Sequence, residues 1–408
     1  MNLLLIHQNF PGQFRHLAND LVRHDEHRVL AIGRDTAPGL PGVRLLRYRP
    51  NRESAKQTHA YLQSFENAVL HGQQVARLLQ RLRGQGYRPD AILAHPGWGE
   101  TLFAKEIFPK VPLIHFCEYY YHSQGADAGF DPEFPLSLDD VARIRMRNSL
   151  HLLNLEHCDL GIAPTHWQHS LHPLAYRNKI RVAHEGIPLE ALGPDEQASL
   201  TLPDGRTLRA GQPIVTYVSR SLEPYRGFHS FMRALPAILS GNSKAEVLLI
   251  GGDQTGYGRG PSDASNWRTK LLSEVTIDPQ RVHFLGKVPY ETYRKVLQIS
   301  AAHVYLTYPF VLSWSMLEAM ACGCLVIGSD TAPVREVIRH GQNGYLVDFF
   351  APDAIASRVL EVLASPNRQY EQRMAAQATA RSYSVGNGLR AYRQLLNDAL
   401  EARHTLAY

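Results

Sequence analysis

Two Rossmann-like α/β domains facing one another across a cleft are the architecture read from this chain of 408 residues. Strand-sized apolar runs alternate with helical stretches over almost its whole length, the pattern of parallel sheets flanked by helices. A zone rich in proline and glycine, residues 186–213, interrupts that alternation near the midpoint. The length also exceeds what one hydrophobic core ordinarily serves. The chain therefore divides into an N-terminal domain over 1–185, a linker with a small hairpin over 186–212, a C-terminal domain over 213–385 and a terminal helix within 386–408. Ligands of such sheets gather outside the carboxyl ends of the strands.

The first element is an apolar strand over 3–6, followed by the turn Asn9-Phe-Pro-Gly-Gln-Phe14 and a helix over 15–23. Further strands are expected at 29–32, 91–94, 113–116 and 160–163, with long helices over 60–83 and 138–157. The second of these helices carries Arg143, Arg145 and Arg147 near an apolar face, a pattern that fits a solvated basic face or a peripheral membrane contact. At 200–208, Leu-Thr-Leu-Pro-Asp-Gly-Arg-Thr-Leu places a Pro-Asp-Gly turn between β-formers and predicts a hairpin. Strand and helix then alternate again: strand 214–218, helix 227–239, strand 246–250, a flexible glycine-rich loop over 251–260, strand 282–285, helix 290–298 and strand 303–307. A helix opens at Ser313 to Ser315, a strand follows at 325–327, another helix begins at 330–333, and two more helical segments end the chain.

Composition narrows the function. The longest apolar runs are far short of the roughly 20 residues that span a bilayer, and the first residues lack a basic leader, so a cytoplasmic protein is expected. Four cysteines, Cys117, Cys158, Cys322 and Cys324, form neither a disulfide framework nor a C-x-x-C site. Residues 1–200 balance at 21 Lys plus Arg against 21 Asp plus Glu, whereas 201–408 carry 22 against 17. The net charge of +5 therefore belongs to the second half, which fits an anionic ligand there and is too small to argue for nucleic acid.

Residues 307–349 carry most of the chemistry. A strand, a short loop and a helix opening at Ser313 aim unpaired backbone N–H groups and the positive end of a helix dipole at one place, where an anion can sit. Glu318 falls about one turn inside that helix. The combination suits a nucleoside diphosphate whose ribose hydroxyls need an acceptor.

The run Glu318, Ala319, Met320, Ala321, Cys322, Gly323 resembles the donor site of family 4 glycosyltransferases, retaining enzymes of the GT-B fold that use nucleotide-activated sugars. The family pattern is Glu, seven residues, Glu. Here the second Glu is Glu318, but the first position is Phe310, and Val311, Leu312, Ser313, Trp314 and Ser315 replace the family's glycine-rich loop. The resemblance implies donor contacts from Phe310, Ser313, Trp314, Ser315, Met316 and Leu317, base contacts from the backbone of Gly286, Lys287 and Val288, and diphosphate contacts from Arg220 and Arg226, the latter in place of a lysine. Arginine keeps the charge and changes the geometry, because its guanidinium grips phosphate oxygens with two parallel donors. In the first half the resemblance points to Gly12 near the donor phosphates, to Glu118 where many members have a histidine, and to a terminal helix that returns to the first domain. Tyr120 and His122 are candidates for binding an acceptor sugar. Arg220, Arg226, Glu318 and Glu118 are the catalytic candidates.

The implied reaction moves a hexose from a nucleoside diphosphate sugar to a hydroxyl acceptor on a polysaccharide, glycolipid or glycoprotein glycan. No Asp-x-Asp pair occurs in the chain, so no metal and no cofactor beyond the donor are expected. The alternatives are a degenerate protein that binds nucleotide sugar without turnover, prompted by Phe310, and a phosphorylase of similar fold.

Overall fold

A computed structural model describes residues 1–23, 28–365 and 369–405. The chain forms two compact units, Met1–Gly186 with Val385–Tyr408, and Ile187–Ser384.

The first unit is built on a parallel sheet of seven strands: β1 Asn2–Ile6, β2 Arg28–Arg34, β3 Arg44–Tyr48, β4 Ala91–Ala94, β5 Leu113–Phe116, β6 Leu160–Ala163 and β7 Ile180–Val182. Their order is β3-β2-β1-β4-β5-β6-β7, so the chain reverses direction across the sheet between β1 and β4, the switch point of a doubly wound fold. Both faces are covered, and the strands therefore read as unbroken apolar runs. In β1, Leu3 and Leu5 enter one core cluster and Leu4 and Ile6 enter another, because successive side chains point to opposite faces. Helix Gln63–Gly84 buries Val75 and Leu79 on the second of these faces. Helix Leu138–His157 is started by Ser137, whose hydroxyl accepts from Asp140 N while the Asp140 carboxylate accepts from Ser137 N, a reciprocal cap.

The terminal helix Val385–Thr405 belongs to this unit. It buries Tyr392, Leu395, Leu396 and Ala399 beside Leu17 and Leu21 of helix Arg15–Val22, and Arg393 Nε donates to Asp20 at 3.0 Å. A Cβ at Gly388 would lie 2.6 Å from the Glu185 carbonyl oxygen, so only glycine lets the helix start so close to that backbone.

The second unit repeats the plan. Ser199–Thr201 (β8) and Thr207–Arg209 (β9) form an antiparallel hairpin. Then β10 Ile214–Ser221, β11 Glu246–Gly252, β12 Val282–Gly286, β13 Ala302–Tyr305, β14 Leu325–Ser329 and β15 Tyr345–Val347 make a parallel sheet of order β12-β11-β10-β13-β14-β15. Its switch point lies between β10 and β13. Tyr217 of β10 stacks on Phe231 of helix Phe228–Gly241 at 5.1 Å on one face, and Ile214 and Val218 join the cluster of Met316, Leu317 and Met320.

Two readings change. The segment 186–212, expected as a linker with a small hairpin, forms that hairpin and also buries Ile187, Leu192, Ala198, Leu202 and Leu208 in the second unit's core. Its proline and glycine content marks tight turns between buried side chains. The loop after β11, expected to be flexible, is tied down at Gly256, Tyr257 and Gly258, whose N–H groups all donate to one oxygen of Glu223 at 3.0 to 3.2 Å. The edge strands β3, β7 and β15 are not among the strands expected. Among the described residues, no helix is long and apolar enough to cross a membrane.

Candidate functional site

In the second unit the candidate residues gather at the carboxyl ends of β10, β12 and β13. Arg220 lies near the end of β10, and Arg226 closes the short helical turn Pro224–Arg226. Gly227 follows with φ +68, where a Cβ would overlap the Leu306 side chain; the turn needs glycine both for its left-handed backbone and for that close approach.

Arg226 is 8% exposed. Its Nη1 donates to Thr307 Oγ1 at 2.9 Å and to the Val311 carbonyl at 3.0 Å, which fixes it against the loop that leads into helix Trp314–Ala321. Arg220 is exposed. The two guanidinium carbons lie 5.9 Å (Arg220) and 5.5 Å (Arg226) from the ring centroid of Tyr257, so both lie against one ring. Among the described residues neither has a carboxylate partner. A guanidinium stays protonated at any working pH, and a buried one held only by neutral acceptors lacks its counter-charge. The arrangement can bind an anion.

Helix Trp314–Ala321 begins beside Arg226. Ser313 caps it, accepting from Ser315 N at 3.3 Å, and Ser313 N donates to Tyr305 Oη at 2.8 Å. Trp314 is exposed, while the Met316 and Leu317 side chains are fully buried, so those two can offer a ligand only their backbone. Phe310 is brought to the site as a wall: it is 6% exposed and meets Tyr257 at 5.0 Å and Tyr225 at 5.5 Å, ring to ring. Gly286 ends β12 with φ +66, Lys287 is exposed with its stem lying across Gly252, and Val288 packs on the core cluster.

Glu318 is 8% exposed and accepts two phenolic hydrogen bonds, Oε1 from Tyr290 at 3.0 Å and Oε2 from Tyr293 at 2.5 Å. Burial raises its pKa above the usual carboxylate range, and the two phenol donors oppose that rise.

A second group lies in the first unit, just past the ends of β1, β4 and β5. His7 Nδ1 accepts from Asn9 N at 2.9 Å, which leaves Nε2 protonated to donate to Gln13 Oε1 at 2.7 Å. Gln13 Nε2 donates to Glu118 Oε1 at 2.9 Å. His95 Nδ1 accepts from Gly97 N at 3.2 Å, so its Nε2–H faces Glu118 Oε2 at 3.3 Å. Both carboxylate oxygens of Glu118 thus receive a donor. Burial would raise its pKa, but the His95 hydrogen bond and charge interactions hold it below the usual value, and its side chain is 36% exposed. His7 is pushed down to about 3 by burial and is neutral. Gly12 leaves room for this ring, since a Cβ there would overlap the His7 imidazole. His95 stacks on Trp98 at 4.5 Å.

Tyr120 and His122 are not part of that group. His122 Nε2 donates to the Leu171 carbonyl at 2.8 Å, and the Tyr120 ring packs against His122, His151 and His172. Their neighbour Tyr119 donates to Asp127 at 2.9 Å, and Arg147 covers Tyr121 at 3.9 Å. These rings serve local packing first, which is the ordinary fate of an aromatic cluster.

His7, Gln13, His95, Glu223, Tyr257, Tyr290 and Tyr293 were not among the expected site residues. For His7 and His95 a signal existed: a polar residue directly after an apolar parallel strand sits where such sheets bind ligands. For the tyrosines there was none, because their roles depend on contacts across the fold.

Residues 25–192 match the model of a glycosyl transferase family 4 group, and residues 202–381 match that of glycosyl transferases group 1. Spore coat protein SA of Bacillus subtilis is 26% identical over 47% of this chain and 52% of its own length. Phosphatidyl-myo-inositol mannosyltransferase of Mycobacterium leprae is 27% identical over 43% of this chain and 46% of its own. D-inositol 3-phosphate glycosyltransferase of Nocardia farcinica is 29% identical over 42% and 37%. The chain thus spans about half the length, or less, of the curated relatives it matches. Among solved structures, sucrose-phosphate synthase of Thermosynechococcus elongatus superposes with a TM-score of 0.72 at 18% identity, covering 98% of this chain and all of the other. HepE of Anabaena in complex with UDP-glucose does so with 0.68 at 16%, again over 98% of this chain and all of the other. At these identities the likeness establishes the fold.

Proposed function

The chain belongs to the family 4 type of glycosyltransferase, its two halves matching the family models in turn, and from that premise we propose that it transfers a hexose from a nucleoside diphosphate sugar to a hydroxyl acceptor with retention and without a metal. One observation carries the proposal: two guanidinium groups with no carboxylate partner among the described residues converge on one ring beside a helix start. Breaking the bond from the sugar to its diphosphate builds negative charge on the leaving group. Fixed cations and backbone N–H groups already aimed at that charge stabilise it as it forms, which is the largest single effect in many enzymes. Arg226 is held in place by Thr307 and Val311, while exposed Arg220 is available to close on the ligand.

In this reading the acceptor oxygen bonds to the anomeric carbon on the face that the diphosphate leaves, and the acceptor's proton passes to the departing phosphate oxygen. No obligatory protein base is required. Glu318 accepts the ribose hydroxyls, and the backbone of Gly286 to Val288 meets the base. Glu118, held ionised by His95 and Gln13, is assigned to the acceptor, whose hydroxyl hydrogen bond a carboxylate can take. The UDP-glucose bound by HepE supports a nucleotide sugar as the donor class. The acceptor is assigned no further than a hydroxyl on a glycan, lipid-linked or protein-borne.

A second reading has its own observation. Phe310 stands where the family has its first glutamate and is packed among Tyr225, Tyr257 and Arg226, an apolar wall that offers no acceptor to a sugar hydroxyl. A protein that binds the nucleotide sugar and does not turn it over would result. Release of free nucleoside diphosphate from UDP-, GDP-, ADP- and dTDP-sugars separates the two. Turnover of one donor class is expected, whereas a melting-point rise with the same donor but no release of diphosphate would favour the second reading.

A further inference from the structure

Both oxygens of Glu318 are already engaged. Tyr290 donates to Oε1 at 3.0 Å and Tyr293 to Oε2 at 2.5 Å, their rings 5.5 Å apart on the first turn of helix Tyr290–Gln298. A carboxylate offers about four lone-pair directions. Two phenols consume two, one on each oxygen, and leave one on each oxygen for a pair of neighbouring hydroxyls. The two tyrosines differ in setting: Tyr293 is 9% exposed, whereas Tyr290 is 47% exposed. Tyr290 also begins its helix only four residues after Gly286, at the end of the segment assigned to the base.

We infer that Tyr290 is a positioning residue for the donor's ribose: with Tyr293 it fixes the Glu318 carboxylate so that its remaining lone pairs meet a cis-diol, which restricts the site to ribonucleoside diphosphate sugars. The inference rests on the reading of Glu318 as the ribose acceptor. It has a pH signature. The carboxylate must be ionised to accept two hydroxyls, burial favours its neutral form, and the phenol donors favour the charged one. Removing the Tyr290 hydroxyl therefore lets Glu318 keep its proton to higher pH, and diol binding is lost at a correspondingly higher pH as the solution is acidified.

The test is calorimetric titration of the full chain and of Tyr290→Phe with UDP, GDP and ADP, each paired with its 2′,3′-dideoxy counterpart, at several pH values. This variant keeps the ring and removes one partly exposed hydroxyl, so the fold is not at risk. Wild type is expected to prefer the ribonucleotide. Tyr290→Phe should weaken that ribonucleotide about tenfold and move its acid limb up by about one pH unit, while leaving the dideoxy compound unchanged. If wild type discriminates but Tyr290→Phe matches it at every pH, the inference falls and the ribose role of Glu318 stands. Equal weakening of both nucleotides would mean that Tyr290 acts through its ring packing and would also overturn it. If wild type does not bind these nucleotides, or does not discriminate between ribo and dideoxy forms, the reading of Glu318 fails first and the inference with it.

Discussion

Arg220 and Arg226 carry the same charge to the same place with different structural roots. Arg220→Ala removes an exposed side chain and should lower the transfer rate about 100-fold or more with an unchanged melting temperature. Arg226→Ala should cost as much rate and also destabilise the protein by about 1–3 kcal/mol, because it strips a donor from buried Thr307. Initial rates and thermal melts of both variants check this pair; equal melting points would mean that Arg226 is not anchored as described. Glu118→Gln keeps the size of the side chain but removes the charge that His95 and Gln13 surround. A loss of at least tenfold in rate with little change in donor affinity is expected if the carboxylate serves the acceptor side. The carbon skeleton of this site was legible in the sequence wherever a side chain sits directly in a strand-to-helix motif, as Arg220, Arg226 and Glu318 do. What the sequence withheld is the company each keeps: Tyr257, Tyr290 and Tyr293 reach the site from a glycine-rich loop and a neighbouring helix, and no local pattern records that.

Elements hold these residues through a few positions that tolerate no side chain. Gly227 combines a left-handed backbone with a close approach to Leu306, and Gly227→Ala should cost about 2–4 kcal/mol, read as a fall in melting temperature. A variant that melts like wild type would show that the turn can relax and that its geometry does not position Arg226. Glu223 performs the complementary task, binding the loop after β11 through three consecutive N–H groups and so keeping Tyr257 over the arginines. The apolar central strands were readable because both their faces are covered. The edge strands β3, β7 and β15 each have one neighbour and mix charged or half-buried residues with apolar ones, so they lack the run that betrays a parallel strand.

For the whole molecule, one strand order of six recurs in both units, the first unit adding a seventh strand at its edge, with a switch point in each unit at the carboxyl end of the sheet. Burial of histidines in both units ties stability to pH. His7, His115 and His303 are at most 2% exposed and are pushed down to about 3 from an ordinary 6.5. A group whose folded value is depressed in this way binds protons only in the unfolded chain between those two values, so stability is complete above pH 6.5 and falls as pH drops toward 3. Each histidine contributes about 2 kcal/mol of loss by pH 5. Melting temperature measured from pH 7.5 to pH 5 should therefore decline steeply below 6.5, and a flat profile would contradict the burial. The terminal helix is the other whole-chain feature. Leu396 is 3% exposed in the first unit's core, and Leu396→Ala should cost about 2–5 kcal/mol; that this helix returns to the first domain was implied by the family resemblance alone and by no local pattern of residues.

The central claim is that Arg220 and Arg226 together hold a pyrophosphate, and the most direct measurement is calorimetric titration of wild type and the Arg220→Ala, Arg226→Ala double variant with a nucleoside diphosphate and the matching nucleoside. Wild type should bind the diphosphate at least 100-fold more tightly than the nucleoside, and the double variant should lose that preference while still binding the nucleoside as before. A double variant that keeps the full preference for the diphosphate would contradict the claim.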